Sequence, residues 1–346
     1  MQPELIINNY KITPGSNLLI DLPLPPLYTH APMTMPVHVI HGKKPGVKLF
    51  ISAAIHGDEL NGVEIVRRLL KQPALKLLQG TLIAIPMVNV YGVIHHSRYL
   101  PDRRDLNRSF PGSAQGSLAA RLAHLFMQEI VAQCSHGIDL HTGAIHRSNL
   151  PQIRANLDDE ETLALANAFN VPVLLNANLR DGSLRASASE QGIPMLLYEA
   201  GEALRFDEIC IRAGMQGILG VMRHLGMLSA KKSRKGIKEP YIARSSIWIR
   251  APASGIFRTV KPLGSHIKRN EVLGAISDPI STIEFEVLAP HNGLVIGRSE
   301  IPLVYEGEAL YHLAKFEDHQ EVADHIETFQ DNIIPEFDDD NELIIT

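Results

Sequence analysis

The sequence predicts an α/β protein: a mixed central sheet flanked by helices, followed by a smaller all-β domain. Three observations carry this. Between about residues 48 and 228, short β-rich runs alternate with helix-periodic segments, the pattern of a layered α/β fold. At KKSRKGIKEP, residues 231–240, the composition turns basic and the helical pattern breaks. From 241 to about 314, short alternating runs are punctuated by Gly255, Gly264, Gly274, Gly293, Gly297 and Gly307, the spacing of a small barrel or sandwich. The chain therefore divides into a main domain over 1–235, a small β barrel or sandwich over 241–316 and an acidic tail over 317–346.

Within the main domain, 18–22 and 36–40 read as short strands at a sheet edge. Further strands are expected at 47–54, 81–87, 137–140, 171–176 and 194–198, each followed by a loop and a helical segment. Leu60, Val63, Val66 and Leu70 recur at helical spacing, as do Leu118, Leu122, Leu125 and Phe126, so each set predicts one buried helix face. In the C-terminal region, APASGIF and APHNGLV resemble the two halves of a swivelling-hairpin domain of the biotinyl/lipoyl type. No lysine lies between Asn270 and Lys315, so such a hairpin has nothing to carry, and the region is expected to be structural or to gate a substrate.

Bulk properties narrow the function. With 45% apolar and 21% charged residues, the 346-residue chain can bury a large core and exceeds the usual single-core size. No run approaches the ~18 apolar residues of a membrane span, and the N-terminus lacks a signal-peptide pattern, so a cytoplasmic protein is expected. Cys134 and Cys210 sit in apolar, helix-like runs, which argues against a disulfide framework or a thiolate metal site. Any metal must be held by histidine and carboxylate. The net charge of -5 hides an asymmetry, since the last 31 residues hold eleven acids and no Lys or Arg. The remainder is mildly basic without a basic, aromatic-interleaved stripe, so no nucleic-acid partner is expected. The sequence leaves a homo-oligomer open.

Four motifs carry chemistry. His56-Gly57-Asp58-Glu59 follows an apolar run and precedes a helix, so the His56 imidazole and the Glu59 carboxylate can point the same way and grip one ion. The plainer reading is that Asp58 and Glu59 offset a helix macrodipole. Asp139-Leu140-His141 ends another β run, and His141 as a third ligand completes a metal site with one open position. Asp139 is either an acceptor for an imidazole N–H or a buried structural carboxylate. The Arg- and Asn-rich segment 89–112 suits a carbonyl or carboxylate, with Arg98 placed to polarise a carbonyl and Asn107 and Arg108 to clamp a carboxylate. Glu199 follows an apolar run and can act as base and then acid; Glu202 is its rival. His95, His96, His136 and His146 are expected to be hydrogen-bonded neighbours rather than further ligands.

HxxE, an Arg nine residues after an Asn, DLNR, DLH and a late strand-end Glu, in this order, resemble the succinylglutamate desuccinylase/aspartoacylase family. The resemblance spans about residues 48–201 and implies a zinc-carboxypeptidase-like fold. It implies one Zn2+ per chain on His56, Glu59 and His141, with Arg98 polarising the carbonyl. It further implies Asn107 and Arg108 as substrate-carboxylate binders and Glu199 as the base that activates water. The implied reaction is hydrolysis of an amide in a small carboxylate-bearing molecule such as an N-acyl amino acid. A metallocarboxypeptidase acting on peptide C-termini and a non-catalytic metal- or ligand-binding protein are the alternatives. The segment after His141, AIHRSNLPQIRAN, read as a loop, departs from the family and leaves the substrate open.

Overall fold

A computed structural model describes residues 2–230 and 240–316, together with Phe329 and Ile333. The basic segment 231–239 and the rest of the acidic tail lie outside the described residues. Among them, no helix is long and apolar enough to cross a membrane.

The chain opens with a hairpin, β1 (Leu5–Ile7) and β2 (Tyr10–Ile12), then β3 (Asn17–Pro23) and β4 (Thr34–His41). The α/β region follows: β5 (Lys48–Ala53), α1 (Asn61–Leu69), β6 (Thr81–Ile85), α2 (Val90–Ile94), α3 (Leu118–Glu129) and β7 (His136–Gly143). It continues with β8 (Arg147–Ala155), α4 (Glu160–Phe169), β9 (Val173–Asn176), α5 (Leu184–Glu190), β10 (Met195–Glu202) and α6 (Glu208–His224). The C-terminal strands are β11 (Tyr241–Ala243), β12 (Ser245–Arg250), β13 (Gly255–Thr259), β14 (His266–Ile267) and β15 (Val272–Ser277). They end with β16 (Glu284–Leu288), β17 (Gly293–Ser299), β18 (Leu303–Val304) and β19 (Ala309–Lys315).

The main sheet runs β3-β4-β6-β5-β7-β10-β8, with β3 at its edge, and continues through β17 and β19 to β12. Pairs β6/β5, β5/β7 and β7/β10 are parallel; β3/β4, β4/β6 and β10/β8 are antiparallel. The central strands β6 and β7 are buried along their whole length and β5 in all but its first residue, as expected for parallel strands covered on both faces. One face packs on α1, α4 and α6 through Ile65, Leu69, Phe169 and Ile218; the other packs on α3 and α5 through Phe50, Phe126 and Leu184. The architecture is the mixed α/β sheet with a β-rich C-terminal region that the sequence predicts. Strands β13, β15, β16 and β18 form a separate four-stranded sheet.

Two local expectations are corrected. In α1 the buried residues without a polar side chain are Gly62, Ile65, Val66 and Leu69, while Leu60, Val63 and Leu70 are only partly covered. That set is itself spaced i, i+3, i+4, i+7, with a glycine as its first member. A Cβ on Gly62 would lie 2.8 Å from the Cβ atoms of both Ala53 and Leu140, so the glycine lets the helix settle onto β5 and β7.

The segment after His141 is a strand, β8, lodged inside the sheet. Pro151 within it donates no hydrogen bond, which ordinarily excludes proline from a central strand. The ladder accommodates it: the register with β10 shifts between Glu199 and Gly201, so an extra β8 residue bulges there. Beside the same point the outer neighbour changes from β17, paired at Asn149, to β9, paired from Gln152.

Candidate active site and metal centre

The C-terminal ends of the parallel strands β5, β7 and β10 converge, the position where open α/β sheets bind ligands. After β5 the chain turns sharply, with Ala54 at φ +51°. The turn packs against α2 so closely that a Cβ on Gly57 would lie 2.0 Å from the Gly92 carbonyl carbon; only glycine fits there. This aims His56 and Glu59 inward rather than along the helix axis.

There Glu59 Oε1 lies 2.7 Å from His56 Nδ1, and Glu59 Oε2 lies 2.8 Å from His141 Nδ1. One ligand atom from each of the three residues can be chosen so that all lie within 4.8 Å of one another. All three side chains are buried. Each imidazole turns its other nitrogen to a carboxylate: His56 Nε2 is 3.1 Å from Asp105 and His141 Nε2 is 2.6 Å from Asp139. Asp139 in turn accepts from the Ser52 hydroxyl at 2.8 Å, so of its two readings the structure selects the imidazole acceptor. Such carboxylate–histidine pairs orient the metal-facing nitrogen and raise its basicity.

The electrostatics follow from this packing. Burial favours a neutral Glu59, yet the charges of His56 and His141 and their hydrogen bonds hold its carboxyl well below the usual range. Burial opposes protonation of His141, but Asp139 and Glu59 outweigh it and raise the imidazole well above its ordinary value. His56 is raised in the same way, against its burial, by Glu59 and Asp105. A cation bound among these atoms takes the place of the protons. Two imidazoles and one carboxylate fit zinc, and they leave one position open.

Asn89 caps α2, accepting from Gly92 N at 2.9 Å, and its amide donates to the Arg98 carbonyl at 3.4 Å. Arg98 is thereby held beside the cluster, its guanidinium 3.4 Å from Glu59 and 2.9 Å from Asp105. Asn107 accepts from Leu184 N at 2.9 Å, tying its loop to α5, and Arg108 donates to the Asn107 carbonyl at 2.5 Å. Glu199 stands directly opposite His141 in the parallel β10/β7 register, so both side chains leave the same face of the sheet. Asn149 donates to Glu199 at 2.5 Å and Arg154 lies 3.7 Å away. His56, Glu59, His141, Arg98, Asn107, Arg108, Asn149, Arg154 and Glu199 all line one cavity of about 690 Å³. Glu202 is not among its walls; it accepts from His146 N at 3.0 Å and pairs with Arg205 at 3.3 Å.

The catalytic-domain model of the succinylglutamate desuccinylase/aspartoacylase family matches residues 45–225, more than half of the chain. The chain belongs to this family. It is similar to N-alpha-acetyl-L-2,4-diaminobutyric acid deacetylase of Halomonas elongata, 24% identical over 295 residues, 81% of this chain and 85% of that protein. Among solved structures, the succinylglutamate desuccinylase/aspartoacylase of Rhodobacter sphaeroides superposes with a TM-score of 0.78 at 25% identity, covering 87% of this chain and 96% of that one. The product-bound ectoine utilization protein of Ruegeria pomeroyi gives a TM-score of 0.77 at 22% identity over 87% of this chain and 95% of that one, a likeness of fold. Family membership carries the coarse class, a deacylase of the amidohydrolase kind.

For a member of this family, several site residues escape the sequence motifs. Asp105, inside DLNR, was given no role from the sequence, yet it pairs with His56 and Arg98 and caps the 106–108 turn through Asn107 N at 2.8 Å. Asn149, Arg147 and Arg154 lie on the unexpected strand β8, and Trp248 and His312 come from β12 and β19. No short motif joins segments so far apart. Among the described residues, His95, His96, His136 and His146 stay outside the three-residue group.

Proposed function

We propose that the protein is a zinc-dependent amidohydrolase that removes the acyl group from a small N-acyl amino acid. The observation that carries this reading is the meeting of His56, Glu59 and His141 beside Glu199 on one rim of the sheet. When bound, zinc supplies Lewis-acid polarisation of the carbonyl and lowers the pKa of a water to near ~7.

The chain's own groups do the rest. Glu199 takes a proton from the attacking water as its oxygen bonds to the acyl carbon. The Arg98 guanidinium faces the negative charge that develops on the carbonyl oxygen, a contact stronger in the transition state than in the ground state. As the C–N bond breaks, Glu199 returns the proton to the departing nitrogen, giving a free acid and an amine. Arg108 binds the substrate carboxylate, while Asn107 holds the loop that presents it. Trp248 and His312 wall the far side of the cavity, which supports a small substrate over a peptide chain.

The test is Glu199→Gln in zinc-loaded protein, assayed against acetyl-, succinyl- and formyl-amino acids. Turnover is expected to fall by roughly 10³-fold or more, with one zinc per chain retained by elemental analysis. Undiminished turnover in that variant removes Glu199 from the mechanism.

A further inference from the structure

Between Glu199 and Glu202, strand β10 carries one residue more than β7: Glu199 pairs with His141 and Glu202 with Gly143. The extra residue makes a β-bulge at Ala200-Gly201, where Gly201 takes the left-handed backbone, φ +76°, that glycine adopts at no steric cost. Such a bulge bends its strand, re-aims the side chains beside it and leaves one residue out of the ladder. Glu199 immediately precedes it. The residue left out is Ala200, which has no paired residue on β7 or β8 and is fully buried, so its carbonyl needs another partner.

That partner is Asn61, at the start of α1 and two residues after Glu59. Its side-chain amide donates to the Ala200 carbonyl at 3.1 Å, and its side-chain oxygen accepts at 3.0 Å from the backbone N–H of Asp207, the residue that caps α6. Both ends of the amide therefore reach across the fold, and none of it caps α1, whose N-cap Leu60 forms no side-chain cap bond. Asn61 is 1% exposed, so solvent offers no replacement for either bond. The fit is close: a Cβ on Gly201 would lie 2.6 Å from Asn61 Nδ2. A second bond joins the same two segments, from Leu204 N to the Asp58 carbonyl at 2.8 Å. The turn that presents His56 and Glu59 is thus knit to the strand end that presents Glu199. Asn61 holds the place where β10 leaves its register with β7.

Building on the deacylase reading, we propose that Asn61 is a positioning residue: through the Ala200 carbonyl it fixes the bulge that aims Glu199 at the His56/Glu59/His141 group. Asn61 is not among the cavity walls, so it acts through the β10 backbone and not by touching substrate. A base that serves both the attacking water and the departing nitrogen loses rate when displaced by about 1 Å, while ground-state binding does not depend on it.

The experiment assays zinc-loaded Asn61→Ala on N-acetyl amino acids. kcat is expected to fall by about tenfold or more, with KM within about twofold and zinc retained in elemental analysis. In a Glu199→Gln background the same substitution should cost less than about twofold further, because the group it positions is already gone. Unchanged kcat per zinc-bound molecule, or losses that multiply in the double variant, would mean a merely structural Asn61 and overturn the inference. Asn61→Asp has the same shape, keeps the acceptor for Asp207 N and loses the donor to Ala200; it replaces the alanine variant if that one does not fold. Hydrogen exchange of the metal-free protein reads the restraint without turnover. Amides of 199–203 are expected to exchange roughly tenfold faster in the variant, with those of β5 unchanged. If the unaltered enzyme hydrolyses no acyl amino acid, faster exchange confined to that stretch keeps the restraint and overturns the deacylase reading. Unchanged exchange removes the restraint whatever the activity.

Discussion

The two ends of the cavity treat charge in opposite ways. At the His56/Glu59/His141 end the three clustered groups each have protein partners: Glu59 sits between two imidazoles, and each imidazole is backed by a carboxylate. At the other end Arg147, Arg154, Arg180 and Arg244 line the same space with only two loose carboxylate pairs, Arg154 with Glu199 at 3.7 Å and Arg244 with Asp158 at 4.0 Å. A group held from several sides is fixed before anything binds, which suits a site that must present ligands or stabilise a transition state. A group left without a counter-charge costs desolvation and repulsion until a ligand supplies one. The first end is therefore the preorganised one, and the second the looser.

The largest expected effect breaks the first end. His141→Ala removes one of the three proposed ligands, and zinc content is expected to fall to background in elemental analysis. Activity should drop by roughly 10³-fold or more, since Lewis-acid stabilisation contributes several kcal/mol at about 1.4 kcal/mol per tenfold. Retained metal with retained activity in that variant means the three residues are not the centre. Asp139→Asn sharpens the comparison from one step further out. It keeps the shape but removes the negative charge that backs His141, and zinc affinity should weaken by about 10- to 100-fold in a chelator competition. Arg147→Gln, at the other end, should leave that affinity unchanged. Equal weakening by both would mean that the ends are not independent.

Legibility in the sequence followed the same division. His56, Glu59 and His141, which the structure brings together, could be picked out because each follows an apolar run in the α/β pattern. Strands β5 and β6 were legible as largely apolar runs. Strand β8 was not, because its side chains include Arg147, Asn149, Gln152 and Arg154, and Pro151 argues locally for a loop. Only the bulge and the change of neighbour beside Pro151 make that residue tolerable, and both are tertiary facts. The arginine end was illegible because its members come from β8, the loop before α5 and the segment entering β12. The mild basic surplus looked dispersed along the chain, and folding concentrates it.

The smallest expected effect tests how the two ends meet. Asn149 sits on β8 and donates to Glu199 at 2.5 Å, restraining the carboxylate. Its own place is set from the C-terminal strands: it pairs with Gly297 of β17, where a Cβ would lie only 2.8 Å from the Asn149 side-chain oxygen. The strands that wall the far end of the cavity thus also leave the space for the side chain that positions Glu199, the proposed base. Asn149→Ala removes the restraint without touching metal ligands or arginines, so kcat should fall by about tenfold, the scale of a misdirected general base. KM should stay within about twofold, because uniform binding is untouched. A rise in KM at constant kcat would instead place Asn149 among the groups that hold substrate, and the base would owe its orientation to the β10/β7 register alone.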